Sequence, residues 1–267
     1  MRKATTPARA TVAKLATAAE GGLVTLDTAA HLLHLDKRSA SRRLSALRRT
    51  GWVSRVRRGV YAIRPLDATP GVELAAEDAW ALAARVFAPC YIGGWTAAGH
   101  WQLTEQLFRS TFVVAAKHVR KSDIVVGRSA FHLTRSAMPT GLKTVWRNRV
   151  PVKVSGVERT LVDACRDPSW VGGGRHLAEI FHAAITDGKL GEAVLLKELR
   201  EAGTGAALGR IGVLCERYWP GATSVIKHAL GHRGTGYAKF DPAVTRRGRL
   251  KRRWGVWINV SLPEPGA

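Results

Sequence analysis

The sequence predicts an α+β protein of mixed α/β build, with a small module of three helices and a β-hairpin at the amino terminus and a larger mixed α/β domain after it. Three observations predict it. Apolar residues recur at helical spacing in three short bursts before residue 51, each ended by glycine or a turn. Residues 52–63 then change to a β-rich composition broken by one glycine. Beyond a Pro/Gly connector the chain offers short strands followed by several helices. The 267 residues are 46% hydrophobic and 23% charged, enough apolar content to bury a core and too much for a disordered polyelectrolyte.

In the first helix, Ala10 to Glu20, Val12, Leu15, Ala16 and Ala19 share a face and Gly21-Gly22 stops it. A second begins at Thr25 or Asp27 and carries Leu26, Ala29, Ala30 and Leu33. Leu35-Asp36 is the turn. The third, about Lys37 to Thr50, turns Ala40, Leu44 and Leu47 inward and ends at Gly51, a residue suited to a left-handed stop. Trp52 to Val56 and Val60 to Ile63 read as strands joined at Arg57-Arg58-Gly59. Three helices followed by a β-ribbon is the plan of a winged helix-turn-helix.

Charge points to the partner. The chain has 42 Lys+Arg against 20 Asp+Glu, a net charge of +22 and a pI of about 11.1, which favours polyanions. Residues 1–65 hold 14 of those basic and 3 of those acidic residues, so a quarter of the chain carries half of the excess. On the third helix, Arg38, Arg42, Ser45 and Arg49 form one stripe opposite the apolar face. Such a helix fits the DNA major groove, where arginine forks reach guanine O6 and N7 while others hold phosphates, and Lys37 and Arg43 are expected among its DNA contacts. Arg57 and Arg58, at the wing tip, reach the adjacent minor groove or backbone. Small helix-plus-hairpin modules also serve protein–protein contacts, but the lack of acidic residues from 37 to 64 argues against that use here.

The expected organisation is residues 1–65 as the winged module, 66–71 as a linker and 72–267 as the mixed α/β domain. A helix is expected over Val72 to Phe87 and strands over Thr111 to Ala115, Ala130 to Thr134, Thr144 to Trp146 and Val150 to Val154. Helices follow at Val157 to Cys165, His176 to Ile185, Ala193 to Glu201, Ala207 to Trp219 and Thr223 to Leu230, and two last strands at Tyr237 to Phe240 and Trp254 to Leu262. Ser155 and Glu158 have the spacing of a capping box. A second basic cluster, Arg246, Arg247, Arg249, Lys251, Arg252 and Arg253, falls in a loop between those last strands, with Trp254 and Trp257 beside it; two readings stand, polyanion contact and a solvated hairpin tip.

Chemistry is thinly represented. Gly172-Gly173-Gly174-Arg175 lacks the phosphate-loop spacing, His228 and His232 lack the glutamate of a zinc-protease helix, no Asp-x-Asp occurs, and Asp187-Gly-Lys189 sits at a helix end rather than on a strand. No metal site, cofactor or catalytic residue is expected. Cys90, Cys165 and Cys215 suit a reducing compartment, and with no export leader or membrane span in view the expected location is the cytoplasm.

The Arg-Arg-Gly-Val-Tyr wing, Tyr91-Ile-Gly-Gly-Trp-Thr-Ala-Ala98 and Val154-Ser-Gly-Val-Glu-Arg-Thr-Leu-Val-Asp163 together resemble the AbiEi antitoxins of type IV toxin–antitoxin systems, and the likeness spans nearly the whole chain. The resemblance implies a neighbouring nucleotidyltransferase toxin, autorepression through double-stranded operator DNA in the shared promoter, and a carboxy-terminal domain that counters the toxin without requiring a stable complex. A dimer or cooperative assembly on DNA fits such a repressor. The resemblance puts Arg159 and Asp163 in that domain's own motif, where the pair four apart on a helix reads as structural. A stand-alone winged-helix regulator is the alternative function, and a nucleic-acid enzyme comes third.

Overall fold

The computed structural model describes residues 7–19, 22–57, 59–63, 78–119, 121–126 and 128–264. The connector expected at 66–71 lies outside them. The chain divides into two compact units, one of residues 1–90, 115–137 and 144–152, the other of residues 91–114, 138–143 and 153–267.

The first unit opens with helix α1 (Pro7–Thr17), strand β1 (Leu23–Thr25), helices α2 (Leu26–Leu33) and α3 (Lys37–Arg49), and strands β2 (Val53–Arg57) and β3 (Val60–Ile63). Each of the three expected helices is present, α1 starting and ending earlier than its periodicity suggested. Val12, Leu15, Ala29, Leu44, Leu47 and Tyr61 make up much of one buried core, so the apolar positions read from spacing do meet. The caps are those the residue types imply. Thr25 Oγ1 accepts from the Thr28 N–H at 3.1 Å, and Gly51, at φ +75°, closes α3 in the left-handed region. Strand β1 was not foreseen: its three residues pair antiparallel with β3, Val24 opposite Tyr61, and complete a three-stranded sheet in the order β1-β3-β2.

Helix α4 (Ala79–Val86) follows, started by Asp78, whose Oδ1 accepts from the Trp80 and Ala81 N–H groups; the part of the expected helix at 72–77 lies outside the described residues. Strand β4 (Cys90–Ile92), helix α5 (Gly94–His100) and strands β5 (Thr111–Ala115), β6 (Asp123–Val126), β7 (Ser129–Arg135), β8 (Leu142–Arg147) and β9 (Val150–Ser155) come next. In the first unit β6 and β7 form an antiparallel hairpin; in the second β4 runs parallel to β9, with Ile92 beside Val154.

The second unit is mostly helical: α6 (Val157–Arg166), α7 (Gly174–Thr186), α8 (Glu192–Ala202), α9 (Gly205–Tyr218) and α10 (Thr223–His232) surround a core that includes Leu161, Leu177, Phe181, Leu199, Ile211 and Leu214. A small sheet closes the unit, β10 (Ala238–Lys239), β11 (Arg249–Lys251) and β12 (Val256–Ile258), in the order β10-β12-β11. The capping box expected at Ser155 and Glu158 does not form. Gly156 is the cap residue of α6; Ser155 Oγ instead lies 2.7 Å from Thr160 Oγ1, and Glu158 Oε1 accepts from the Gly191 N–H at 3.1 Å. Ser155 ends β9 and is buried, and its hydroxyl is turned to Thr160 and the Ile92 carbonyl rather than to the free N–H groups of α6, while Glu158 serves the start of α8.

The Arg159–Asp163 pair is more than a surface brace. Both side chains are buried, and Arg159 grips Asp163 through two bonds, Nε to Oδ2 at 3.0 Å and Nη2 to Oδ1 at 2.9 Å. Tyr91 Oη donates to the same carboxylate at 3.1 Å, and Arg166 Nη1 approaches it at 3.3 Å. Burial pulls the Arg159 pKa down, but the Asp163 bonds and charge outweigh it and hold the guanidinium above its ordinary value. Glu198 is left at 3.6 Å from Arg159 Nη1, with Oε2 lacking a hydrogen bond. Burial pushes its carboxyl up, against the opposing pull of Arg159.

Asp163→Ala leaves Arg159 buried without its bidentate partner and is expected to cost about 3–5 kcal/mol in denaturant unfolding. Glu198→Gln should have the opposite sign. The folded protein takes up a proton at Glu198 more readily than the unfolded chain, so its contribution is present in acid and lost as the pH rises through the raised folded value. The amide variant should therefore match or exceed the parent at neutral pH, with the gap closing on acidification; a variant less stable at neutral pH would contradict this.

Candidate nucleic-acid interface

Helix α3 is placed by contacts at both ends. His34, at φ +52°, turns the chain out of α2, and the Asp36 carboxylate accepts the Ser39 N–H at 3.0 Å to start α3. At the far end the Trp52 N–H returns to the Leu47 carbonyl at 3.0 Å. The Leu26 N–H donates to the Gly59 carbonyl at 2.8 Å, which fixes the start of α2 against the turn of the β2–β3 hairpin. That bond joins helix pair and wing, and nothing in the local sequence of either segment announces it.

At about 100° per residue, Arg38, Arg42, Ser45 and Arg49 fall within an arc of about 60°, and Ala40, Leu44 and Leu47 lie roughly opposite. The structure agrees: the four polar residues are exposed and the three apolar ones buried. From Arg38 to Arg49 the stripe runs about 16 Å along the axis at ~1.5 Å per residue. This row of forked donors on a convex rod can meet base edges and phosphates together.

The flanking residues are less uniform. Lys37 is exposed and pairs with Asp27 at 2.9 Å, a solvent-screened contact that a phosphate can replace. Arg43 is exposed, but its Nη2 donates to Thr11 Oγ1 at 2.9 Å, so part of its work is to tie α3 to α1. Arg57 ends β2 with its backbone opposite Val60; its side chain, and Arg58 entirely, lie outside the described residues.

The second basic cluster is not a loop throughout. Arg249 and Lys251 stand on strand β11, paired with β12, while Arg252, Arg253 and Trp254 form a 3₁₀ turn. All six basic side chains from Arg246 to Arg253 are exposed. Arg253 pairs with Glu216 at 2.9 Å, and Arg247 lies over the Trp257 ring at 5.7 Å. Trp254 is the anchor: it is buried, its indole N–H donates to Glu216 Oε2 at 3.0 Å, and a Cβ at Gly212 would lie 2.1 Å from its ring. Only glycine on α9 leaves room for that ring, a requirement that composition does not reveal.

The other candidates acquire structural partners. The Gly174 N–H at the start of α7 donates to Asp241 Oδ2 at 2.7 Å, so a carboxylate already occupies the helix end a phosphate would seek. Lys189 pairs with Asp187 at 2.8 Å. The rings of His228 and His232 stack at 4.3 Å; burial and the neighbouring His232 lower the His228 pKa. Among the described residues no group of three His, Cys, Asp or Glu side chains could hold a metal ion. Cys165 and Cys215 are buried thiols and Cys90 is half-buried; burial pushes Cys90 and Cys165 up to about 12. No described helix is long and apolar enough to cross a membrane.

Residues 15–64 match the family described as a transcriptional regulator, AbiEi antitoxin. The match includes α3 and the wing and ends before the Tyr91–Ala98 and Val154–Asp163 segments. The whole fold is similar to that of the RV2827C protein from Mycobacterium tuberculosis, at 17% identity and a TM-score of 0.61 over 92% of this chain and 90% of that one. A comparison with curated proteins finds no match.

The hydrogen bonds from Ser39, side chain and backbone, hold the Asp36 carboxyl below its ordinary value. Its cap therefore stabilises α3 above the unfolded carboxylate pKa and is lost as the pH falls through the lowered value. Asp36→Ala should reduce amide-exchange protection in the first turn of α3, and the difference from the parent should vanish in acid. Equal protection at neutral pH would show that the cap contributes nothing.

Proposed function

We propose that this protein is a non-enzymatic DNA-binding autorepressor and the antitoxin of a type IV toxin–antitoxin pair, acting in the cytoplasm against a nucleotidyltransferase toxin without a stable toxin complex. The observation that carries the reading is the exposed Arg38/Arg42/Ser45/Arg49 stripe on α3, inside the segment that matches AbiEi antitoxin transcriptional regulators. In this reading residues 1–65 bind operator DNA, 66–71 connect, and 72–267 form the antitoxin domain.

Arg38, Arg42 and Arg49 take base edges in the major groove, with Ser45 between them; Lys37 and Arg43 take phosphates; Arg57 and Arg58 take the neighbouring minor groove. The Arg246–Arg253 cluster adds sequence-independent contact with the backbone. Two copies, or cooperative filling of repeated sites, bring two such modules to one promoter. No cofactor is required.

Replacing Arg38, Arg42 and Arg49 together with Ala should abolish the preference for the duplex upstream of the protein's own gene over a scrambled duplex, with unchanged circular dichroism. Replacing Arg249 and Lys251 with Ala should instead weaken both duplexes alike and reduce the slope of log K against log salt by about 1–2. Unchanged footprinting by the triple variant overturns the assignment of α3.

Co-expression with the nucleotidyltransferase encoded beside it should restore growth to cells that the toxin arrests, and the triple variant should rescue as well as the parent when expressed from a foreign promoter. Full operator binding without rescue would favour the stand-alone regulator.

A further inference from the structure

The first unit holds a recess of about 470 Å³ that the DNA-binding reading does not use. Phe87, just past α4, Ile124 on β6 and Leu133 on β7 form its apolar wall. The Phe87 ring is set edge-on against Phe131, centroids 5.3 Å apart, so that wall is fixed before anything enters.

Its rim carries two lysine cations, Lys117 and Lys121, beside His118. Lys117, His118 and Lys121, all exposed, come from the single connection between β5 and β6. Among the described residues no carboxylate pairs with any of the three. Asp123, the acid close to them in sequence, is already held by His132 Nδ1 at 2.7 Å and the Ser122 hydroxyl at 2.9 Å. Water gains little from the apolar wall, and a wholly apolar guest would leave the cations unanswered. An apolar body with one anionic head satisfies both, and the recess has the dimensions of ordinary ligand sites.

We infer that this recess binds a small amphipathic carboxylate, its hydrocarbon part against Phe87, Ile124 and Leu133 and its head at Lys117, His118 and Lys121. The site stands whether or not the protein represses transcription, because no part of it lies on α3 or the wing.

The test is calorimetric titration of the full-length protein with decanoate below its aggregation concentration, beside decanol and acetate. Decanoate should saturate at one per chain, with decanol and acetate each at least tenfold weaker. The double variant Lys117→Glu/Lys121→Glu should weaken decanoate at least tenfold and leave decanol unchanged. Ile124→Trp, which fills the recess, should abolish decanoate binding; both variants are checked for native near-ultraviolet circular dichroism. Four results overturn the proposal: no saturable decanoate binding, equal affinity for acetate, equal affinity for decanol, or decanoate binding indifferent to the charge reversal. If Ile124→Trp proves unfolded, Ala115→Val, lining the same recess, provides the steric arm, with at least a tenfold loss expected and unchanged affinity counting against the site.

Discussion

Helix α3 has to belong to the core and stand clear of it at once. Ala40, Leu44 and Leu47 occupy one side of a 13-residue helix and are buried; the opposite side carries nothing that the fold needs. The exposed guanidiniums are aimed by the burial behind them, because a helix anchored through Leu44 and Leu47 cannot rotate without lifting them from the core they share with Val12, Leu15 and Tyr61. Removing an arginine from the stripe need not unfold the module, and weakening the core behind it disturbs every contact on the stripe together.

Much of this was legible in the sequence because it is local. Helical spacing, the start of a helix at Thr25, and Gly51 and Gly59 as turn residues each act within a few positions of themselves, and each is found doing so. The exposed stripe follows from the same periodicity. Strand β1 escaped notice because three residues are too few to show alternation, and its partner lies almost forty residues away on β3. Strand β4 and helix α5 were missed for a similar reason: Tyr91-Ile-Gly-Gly-Trp breaks into pieces too short for either period to register. The Arg43 tether to Thr11 and the Leu26–Gly59 bond depend on the packed arrangement and have no local mark.

The second unit shows where basic residues serve the fold rather than a partner. Arg210 is buried and spends its donors on main-chain oxygens: Nη1 reaches the Cys165 carbonyl at 2.7 Å, Nη2 the Lys239 carbonyl at 2.8 Å and Nε the Phe240 carbonyl at 3.0 Å. It satisfies the carboxy-terminal end of α6 and the strand β10 together, positions where unpaired carbonyls would be costly. Arg159 does comparable work through Asp163. A high pI counts these side chains equally with those of α3, although neither is offered to solvent. The expectation that Arg159 and Asp163 are structural survives, for a reason stronger than helix-face pairing: the carboxylate gathers Tyr91, Arg159 and Arg166 at one buried point.

Among the described residues, strand β11 lies at the end of its sheet, with β12 on one side and no strand on the other. An open strand border of that kind invites a second molecule to add its own strand, the first step toward aggregates. Arg249 and Lys251 are placed to discourage it, since a second copy approaching along the same border brings like charges into register. Their positive charge thus guards against pairing of two copies along this border, and a chain neutralised there loses a safeguard against self-association.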